Sequence, residues 1–100
     1  MRKTKVTFNN DKLQYSSDLM RALAHPLRLK ILEFIDQNGT INVNKIYNTL
    51  KLEQSITSQH LKILREAGVL QANRDGKYIM YAIDYQRVEI AQKAIHNFLS

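Results

Sequence analysis

Apolar residues recur along most of this chain with the three-to-four-residue spacing of amphipathic helices. Residues 11–24 carry one apolar stripe and predict a first helix. Residues 26–37 are apolar around more than half of a helical circumference, which predicts a central second helix. Pro26 suits a first helical turn, and Gly39 is the residue type that ends a helix in a left-handed conformation. Two consecutive helices are therefore expected before residue 40.

Two shorter amphipathic segments follow, separated by the brief break at residues 51–53. They predict a third helix from about Asn42 and a fourth that ends near Ala67, just before Gly68. Two short helices joined by a three- or four-residue turn form a helix-turn-helix. Their apolar positions are Val43, Ile46, Tyr47 and Leu50, and then Thr57, Leu61 and Leu64.

The apolar period then changes from about 3.6 residues to two, as in strands. Residues 69–73 and 77–83 are rich in Val, Ile and Tyr, and Arg74-Asp75-Gly76 between them predicts a hairpin turn. Asp84 is placed to cap a last helix from Tyr85 to about Phe98. The predicted fold is mainly α with a small β-hairpin, a winged helix-turn-helix in the order α-α-α-α-β-β-α. Residues 1–10 form a basic N-terminal arm, and residues 11–100 form one domain.

Composition and charge narrow the class of protein. The 100 residues include no Cys, which excludes a disulfide framework, a thiolate nucleophile and a cysteine zinc cage. The apolar runs are far shorter than a membrane span, so a soluble cytoplasmic protein is expected. The net charge is +6, of which residues 1–10 carry three charges and residues 54–77 carry two. Positive charge concentrated on two segments indicates an anionic partner such as nucleic acid.

Three segments resemble the ArsR/SmtB family of bacterial repressors. LAHPLRLKIL at 23–32 is similar to the start of that family's second helix, SITSQHLKILREAGVL at 55–70 to its recognition helix and first wing strand, and RDGKYIMYAI at 74–83 to its wing. Order and spacing agree over roughly residues 15–98. The resemblance implies a homodimer that represses transcription by binding a double-stranded DNA operator and is released by an inducer.

The resemblance places the base-reading positions at the start of the fourth helix, and helix geometry selects the same side chains because they point away from its apolar face. Gln can bond an adenine edge through two hydrogen bonds, and Ser can contact any base or phosphate. Ile56 is placed to face a thymine methyl group, and Arg74 and Lys77 flank the wing tip. The predicted DNA-binding residues are Gln54, Ser55, Ile56, Ser58, Gln59, Lys62, Arg74 and Lys77.

The first and last helices are expected to form a two-fold interface, which would space two recognition helices for a palindromic operator. Their apolar stripes need cover once the middle helices have formed a core. The predicted interface residues are Leu13, Leu19, Met20 and Leu23 in the first helix, and Val88, Ala91, Ile95 and Phe98 in the last.

Much of this family senses metals, but its ligand positions are changed here. Asn42 to Lys45 stand where a Cys-x-Cys pair is usual, and at the last helix Asp84 is accompanied by Gln86, Asn97 and Ser100 instead of His ligands. The three histidines are 35 and 36 residues apart and are expected to form no ligand pair. No metal or other cofactor is predicted, and the inducer is unknown.

The sequence also bears on two other classes of function. A catalytic pair of Ser58 and His60 is excluded because residues two apart on a helix point in different directions. No Gly-rich phosphate loop is present, so no enzyme is predicted. The alternative to a DNA-binding regulator is a winged-helix protein-interaction module without operator binding. Retention on a heparin column separates the two, because the interaction module should not be retained.

Overall fold

The computed structural model describes residues 10–99, and the side chains at 10, 12, 13, 16, 94, 95 and 97–99 are outside the description. The predicted basic arm thus lies outside the described residues, apart from Asn10, which begins the first helix. The predicted interface side chains of Leu13, Ile95 and Phe98 also lie outside them. In chain order the elements are α1 (Asn10–Leu23), α2 (Pro26–Asn38), β1 (Thr40–Asn42), α3 (Val43–Leu50), α4 (Gln54–Glu66), β2 (Leu70–Asp75), β3 (Tyr78–Ile83) and α5 (Tyr85–Leu99).

The winged helix-turn-helix prediction is confirmed, and the helices begin and end within one or two residues of the predicted bounds. Local chemistry explains these limits. Pro26 opens α2 while the Nδ1 atom of His25 accepts a hydrogen bond from the backbone N–H of Leu27 at 3.2 Å. Gly39 ends α2 with φ 76°, and its N–H donates to the carbonyl of Ile35 at 2.8 Å.

A third strand, β1, was not predicted. It pairs with β3 in an antiparallel register that places Ile41 opposite Tyr81, and the sheet order is β1-β3-β2. Strand β1 has 3 residues, of which only the middle one is buried. A strand this short cannot show an alternating pattern in the sequence. Its effect is to tie the start of α3 to the wing.

The wing turn differs from the predicted one. Asp75 and Tyr78 are the last paired residues of the hairpin, so the turn is Gly76-Lys77 and not Arg74-Asp75-Gly76. Gly76 has φ 62°, whereas Lys77 keeps a negative φ, the combination required by a type II′ turn. A two-residue primed turn matches the twist of the flanking strands, and it therefore lengthens β2 to include Arg74 and Asp75.

One apolar core joins all of these elements except the wing tip. Ile31 and Ile35 of α2 are fully buried at its centre, as expected for a helix that is apolar around more than half of its circumference. The buried apolar side chains are Leu19, Ala22, Ile31, Leu32, Ile35, Ile41, Ile46, Leu61, Leu64, Val69, Leu70 and Ala91. The core thereby holds α3, α4 and the base of the hairpin in a fixed mutual arrangement.

Candidate nucleic-acid interface

The inner face of α4 determines which of its side chains reach solvent. Thr57, Leu61 and Leu64 are fully buried against the core. The hydroxyl of Thr57 donates to the backbone carbonyl of Glu53 at 2.8 Å, so this polar group is satisfied although it occupies a core position. The helix is therefore anchored along one side for most of its length.

The outer face of α4 carries every residue predicted to read DNA from this helix. All of these side chains are exposed, including the apolar Ile56, which is 40% exposed. The amides and hydroxyls are free to donate and accept, as base edges in a major groove require. The exposed set is Gln54, Ser55, Ile56, Ser58, Gln59 and Lys62.

The wing places two exposed cations beyond the recognition helix. Arg74 lies on β2, where it pairs with Ile79, and Lys77 lies in the turn. The Nζ atom of Lys77 is 5.4 Å from the ring centre of Tyr78, which is 42% exposed. Sequence reasoning had assigned Tyr78 to a strand only. Its place directly after the turn was the available signal that it would be exposed at the tip.

The cations of this surface have no carboxylate partners. Among the side chains that the structure describes, the one ion pair joins Glu89 and Lys93 on α5. An external anion can therefore contact Lys62, Arg74 and Lys77. A surface cation contributes most to the free energy of phosphate binding when no internal ion pair has to break first.

A junction of two histidines and one arginine fastens α4 to α1 and α2. The rings of His25 and His60 have centres 4.9 Å apart, because the fold brings the start of α2 against α4. Arg28 lies beside them. Its Nε donates to the carbonyl of Ala22 at 2.7 Å, its Nη2 donates to that of Arg21 at 3.1 Å, and its Nη1 is 3.4 Å from Nδ1 of His60.

The hydrogen bond from Arg28 favours a neutral ring at His60. A guanidinium can only donate, so the Nδ1 atom of His60 accepts and the proton of the neutral ring is on Nε2. Protonation would place a second cation against Arg28. Burial is the main cause that lowers the pKa of His60, and the neighbouring His25 and Arg28 lower it further.

Stability is expected to fall at acid pH because of His60. Its pKa is lower in the folded chain than in the unfolded chain, so the unfolded chain binds more protons in that range. The contribution of neutral His60 to the free energy of unfolding is complete above about pH 6.5, and it is lost as the pH falls toward the lowered pKa of the folded chain. The urea midpoint of the wild type should therefore decrease from about pH 7 to about pH 5.

His60→Gln should weaken this pH dependence, because the amide oxygen can still accept from Arg28 and does not titrate. His96→Gln is the matched control, since His96 is exposed on α5. Equal pH dependence in the wild type and His60→Gln would show that His60 is not responsible.

The predicted dimer surface is partly covered within a single chain. Leu19 and Ala91 are buried in the core, where α1 packs on α5, so they offer no surface to a second copy. Met20, Leu23 and Val88 instead line an apolar groove of about 690 Å³ between α1, α2 and α5. Sequence reasoning missed Leu29, which lines the same groove and is 49% exposed.

The carboxylate of Asp84 begins α5. Its Oδ1 atom accepts from the backbone N–H of Arg87 at 3.2 Å, which confirms the predicted cap. In residues 10–99, as far as their side chains are described, no three potential metal ligands come together. No helix in this part of the chain is long and apolar enough to cross a membrane.

A helix-turn-helix with a polar outer face, flanked by a basic hairpin, defines a winged-helix DNA-binding protein. Comparison with known proteins agrees. A model of the family described as "Bacterial regulatory protein, arsR family" matches residues 25–72. The transcriptional repressor PagR of Bacillus anthracis is 40% identical over an alignment 89 residues long, and this alignment covers 84% of this chain and 89% of PagR.

Solved structures are similar as well. The crystal structure of PagR has a TM-score of 0.72 at 38% identity, over 87% of this chain and 99% of PagR. A homodimeric winged helix-turn-helix DNA-binding domain from Mycobacterium bovis shares the fold, with a TM-score of 0.78 at 22% identity over 93% of this chain and 86% of that one. The protein belongs to the arsR family of bacterial regulatory proteins, and it is a DNA-binding transcriptional regulator and not an enzyme.

Proposed function

We propose that this regulator is a repressor that binds a palindromic DNA operator as a homodimer and is released by a signal other than a metal ion. The observation that carries the proposal is the division of α4 into a buried face of Thr57, Leu61 and Leu64 and an exposed N-terminal face that is rich in amides and hydroxyls. That division presents hydrogen-bonding groups to a groove while the core fixes the angle of the helix.

Two kinds of contact are assigned to this surface. Gln54, Ser58 and Gln59 read base edges in the major groove, and Ile56 contacts a thymine methyl group. Lys62, Arg74 and Lys77 contact phosphates, which hold the protein in register without carrying sequence information. Ser55, at the start of the helix, serves either a base or a phosphate.

The homodimer follows from the apolar groove between α1, α2 and α5. Monomeric proteins rarely leave a large contiguous apolar surface in solvent. A second copy that fills the groove through the same surface forms a closed two-fold assembly. Two recognition helices related by that symmetry require half-sites about 10–10.5 bp apart, or a multiple of that spacing.

The proposal of a non-metal signal rests on the residues at the family's ligand positions. Gln86, Asn97 and Ser100 stand where imidazoles are usual, and the chain has no Cys. The remaining carboxylate, Asp84, is already bonded to the start of α5. One carboxylate without nitrogen or sulfur ligands is a poor site for zinc.

The wing is expected to add affinity without selectivity. Arg74→Gln or Lys77→Gln should weaken operator and scrambled duplexes alike, because phosphates are common to both. Each substitution occurs twice in a dimer, so the slope of log K against log salt should decrease by about two units if each side chain contacts one phosphate. Fluorescence anisotropy titrations at several salt concentrations measure this slope.

Lys30→Gln is the control, because Lys30 is an exposed cation of α2 outside the proposed surface. An unchanged slope in both wing variants would remove the wing from the interface. Absence of DNA binding by the wild type at low salt would instead favour a protein-interaction module and would overturn the proposed function.

A further inference from the structure

The turn between α3 and α4 contains a backbone conformation that its residue type rarely adopts. Lys51 has φ 56° and ψ 51°, and it is the only residue other than glycine with a positive φ in residues 10–99. Left-handed backbone is unfavourable for residues with a Cβ atom, and Gly or Asn tolerates it much better. The turn itself therefore does not explain why a lysine occupies this position.

The hydrogen bonds of the turn do not need the lysine side chain. The backbone N–H groups of Lys51 and Leu52 both donate to the carbonyl of Tyr47, the second at 2.8 Å. A glycine at position 51 would keep both bonds and remove the strain. The side chain is exposed, and no carboxylate in the described part of the chain pairs with it.

The position of Lys51 in the motif indicates what its amine reaches. It lies three residues before Gln54, so it is within about 10 Å of the first residue of α4 along the chain. In a helix-turn-helix the first helix crosses the DNA backbone and the N-terminal end of the second enters the major groove. The turn between them consequently lies at the groove edge, where phosphates are.

We propose that Lys51 is a phosphate-contacting residue that positions the N-terminal end of α4 in the groove. The proposal rests on the proposed function. Lys51 does not read bases. Its ammonium group holds one phosphate on each half-site, and the strained backbone is retained because glycine at this position would lack a charge.

A purely structural role makes a different prediction. Cations stabilise the C-terminal end of a helix through its dipole, and Lys51 follows the last residue of α3. If that were its role, Lys51→Gln would be less stable than the wild type, and the salt dependence of DNA binding would not change. The melting temperature and the salt dependence of DNA binding therefore distinguish a phosphate contact from stabilisation of the end of α3.

Three substitutions at this position supply the test. Lys51→Gly removes charge and strain, Lys51→Gln removes the charge and keeps the strain, and Lys51→Arg keeps both. We expect Lys51→Gly to melt about 4–8 °C higher than the wild type, and the other two within about 2 °C of it.

DNA binding should divide the same variants differently. Lys51→Gly and Lys51→Gln should each lower the slope of log K against log salt by about two units per dimer. Both should bind operator and scrambled duplex roughly tenfold more weakly at moderate salt, whereas Lys51→Arg should bind like the wild type.

An unchanged slope in both neutral variants overturns the phosphate contact, and a lower melting temperature for Lys51→Gln would assign Lys51 to the helix end. Such results leave the proposed function intact on two conditions. The wild type must still prefer its operator, and the wing variants must show a smaller slope of log K against log salt than the wild type. If the wild type shows no operator preference, the proposed function itself fails.

Discussion

Leu29→Glu is expected to turn the proposed homodimer into monomers at micromolar concentration. Leu29 lines the apolar groove with Met20 and Val88, and its side chain is half exposed in one chain. In a two-fold interface the substitution places two carboxylates into apolar surroundings, which costs several kcal/mol per ion. The groove is already lined by Glu33 and Glu89, so each new carboxylate also meets like charge.

Light scattering should then give half the wild-type mass, with an unchanged helical circular dichroism spectrum. Operator affinity should fall roughly 10²–10⁴-fold, because each protomer binds its half-site without the avidity of a linked partner. Ile79→Glu is the matched control for the mass, since Ile79 is 43% exposed on the wing and does not line the groove. A Leu29→Glu chain that stays dimeric would place the interface elsewhere.

Gln59→Ala is expected to lower operator affinity and leave scrambled duplex nearly unaffected. A good bidentate base contact contributes about 1–3 kcal/mol of discrimination, and the dimer makes it twice. The loss on the operator should therefore be roughly 30-fold to 10⁴-fold. The fold itself should tolerate the change, because the side chain is exposed and alanine is a good helix former.

Gln37→Ala is the control for Gln59→Ala, because Gln37 is an exposed glutamine of α2 outside the proposed interface. The same comparison applies to Gln54 and Ser58. Equal losses on operator and scrambled DNA would mean that α4 contributes general attraction and not sequence reading.

The helices and the hairpin could be predicted from the sequence because local signals specify them. Apolar spacing identified α4, and its buried residues in the structure are the predicted Thr57, Leu61 and Leu64. Pro26 and Gly39 mark the limits of α2 through backbone chemistry that needs no tertiary context. The exposed face of α4 followed directly, since the residues that are not buried must face outward.

Features that depend on distant parts of the chain could not be predicted. The His25–His60 contact joins residues 35 apart, and nothing in their spacing indicates that α2 and α4 bring the rings together. Strand β1 exists because β3 offers an edge, and its three residues carry no period of their own. The turn Gly76-Lys77 depends on strand register, and the residue pattern predicted the end of β2 at Asn73, two residues before the observed Asp75.

The predicted dimer stripes show the same limit. Periodicity identified Leu19 and Met20 as apolar positions of one helix, but it could not distinguish the side that packs on the chain's own core. Leu19 faces the core, whereas Met20, the next residue in the sequence, faces the groove. Leu29 was assigned to neither surface, because α2 is apolar on most sides and its spacing does not single out one exposed position.

Selection of binding sites from a random double-stranded DNA library tests the central claim most directly. The purified wild-type protein is bound to the library at moderate salt, and the retained duplexes are sequenced over several rounds. Sequence reading by two α4 helices predicts one enriched motif with two-fold symmetry, whose half-sites are about 10–10.5 bp apart or a multiple of that. Retention of duplexes without any common motif would contradict the claim, because it would show that the protein binds the phosphate backbone alone.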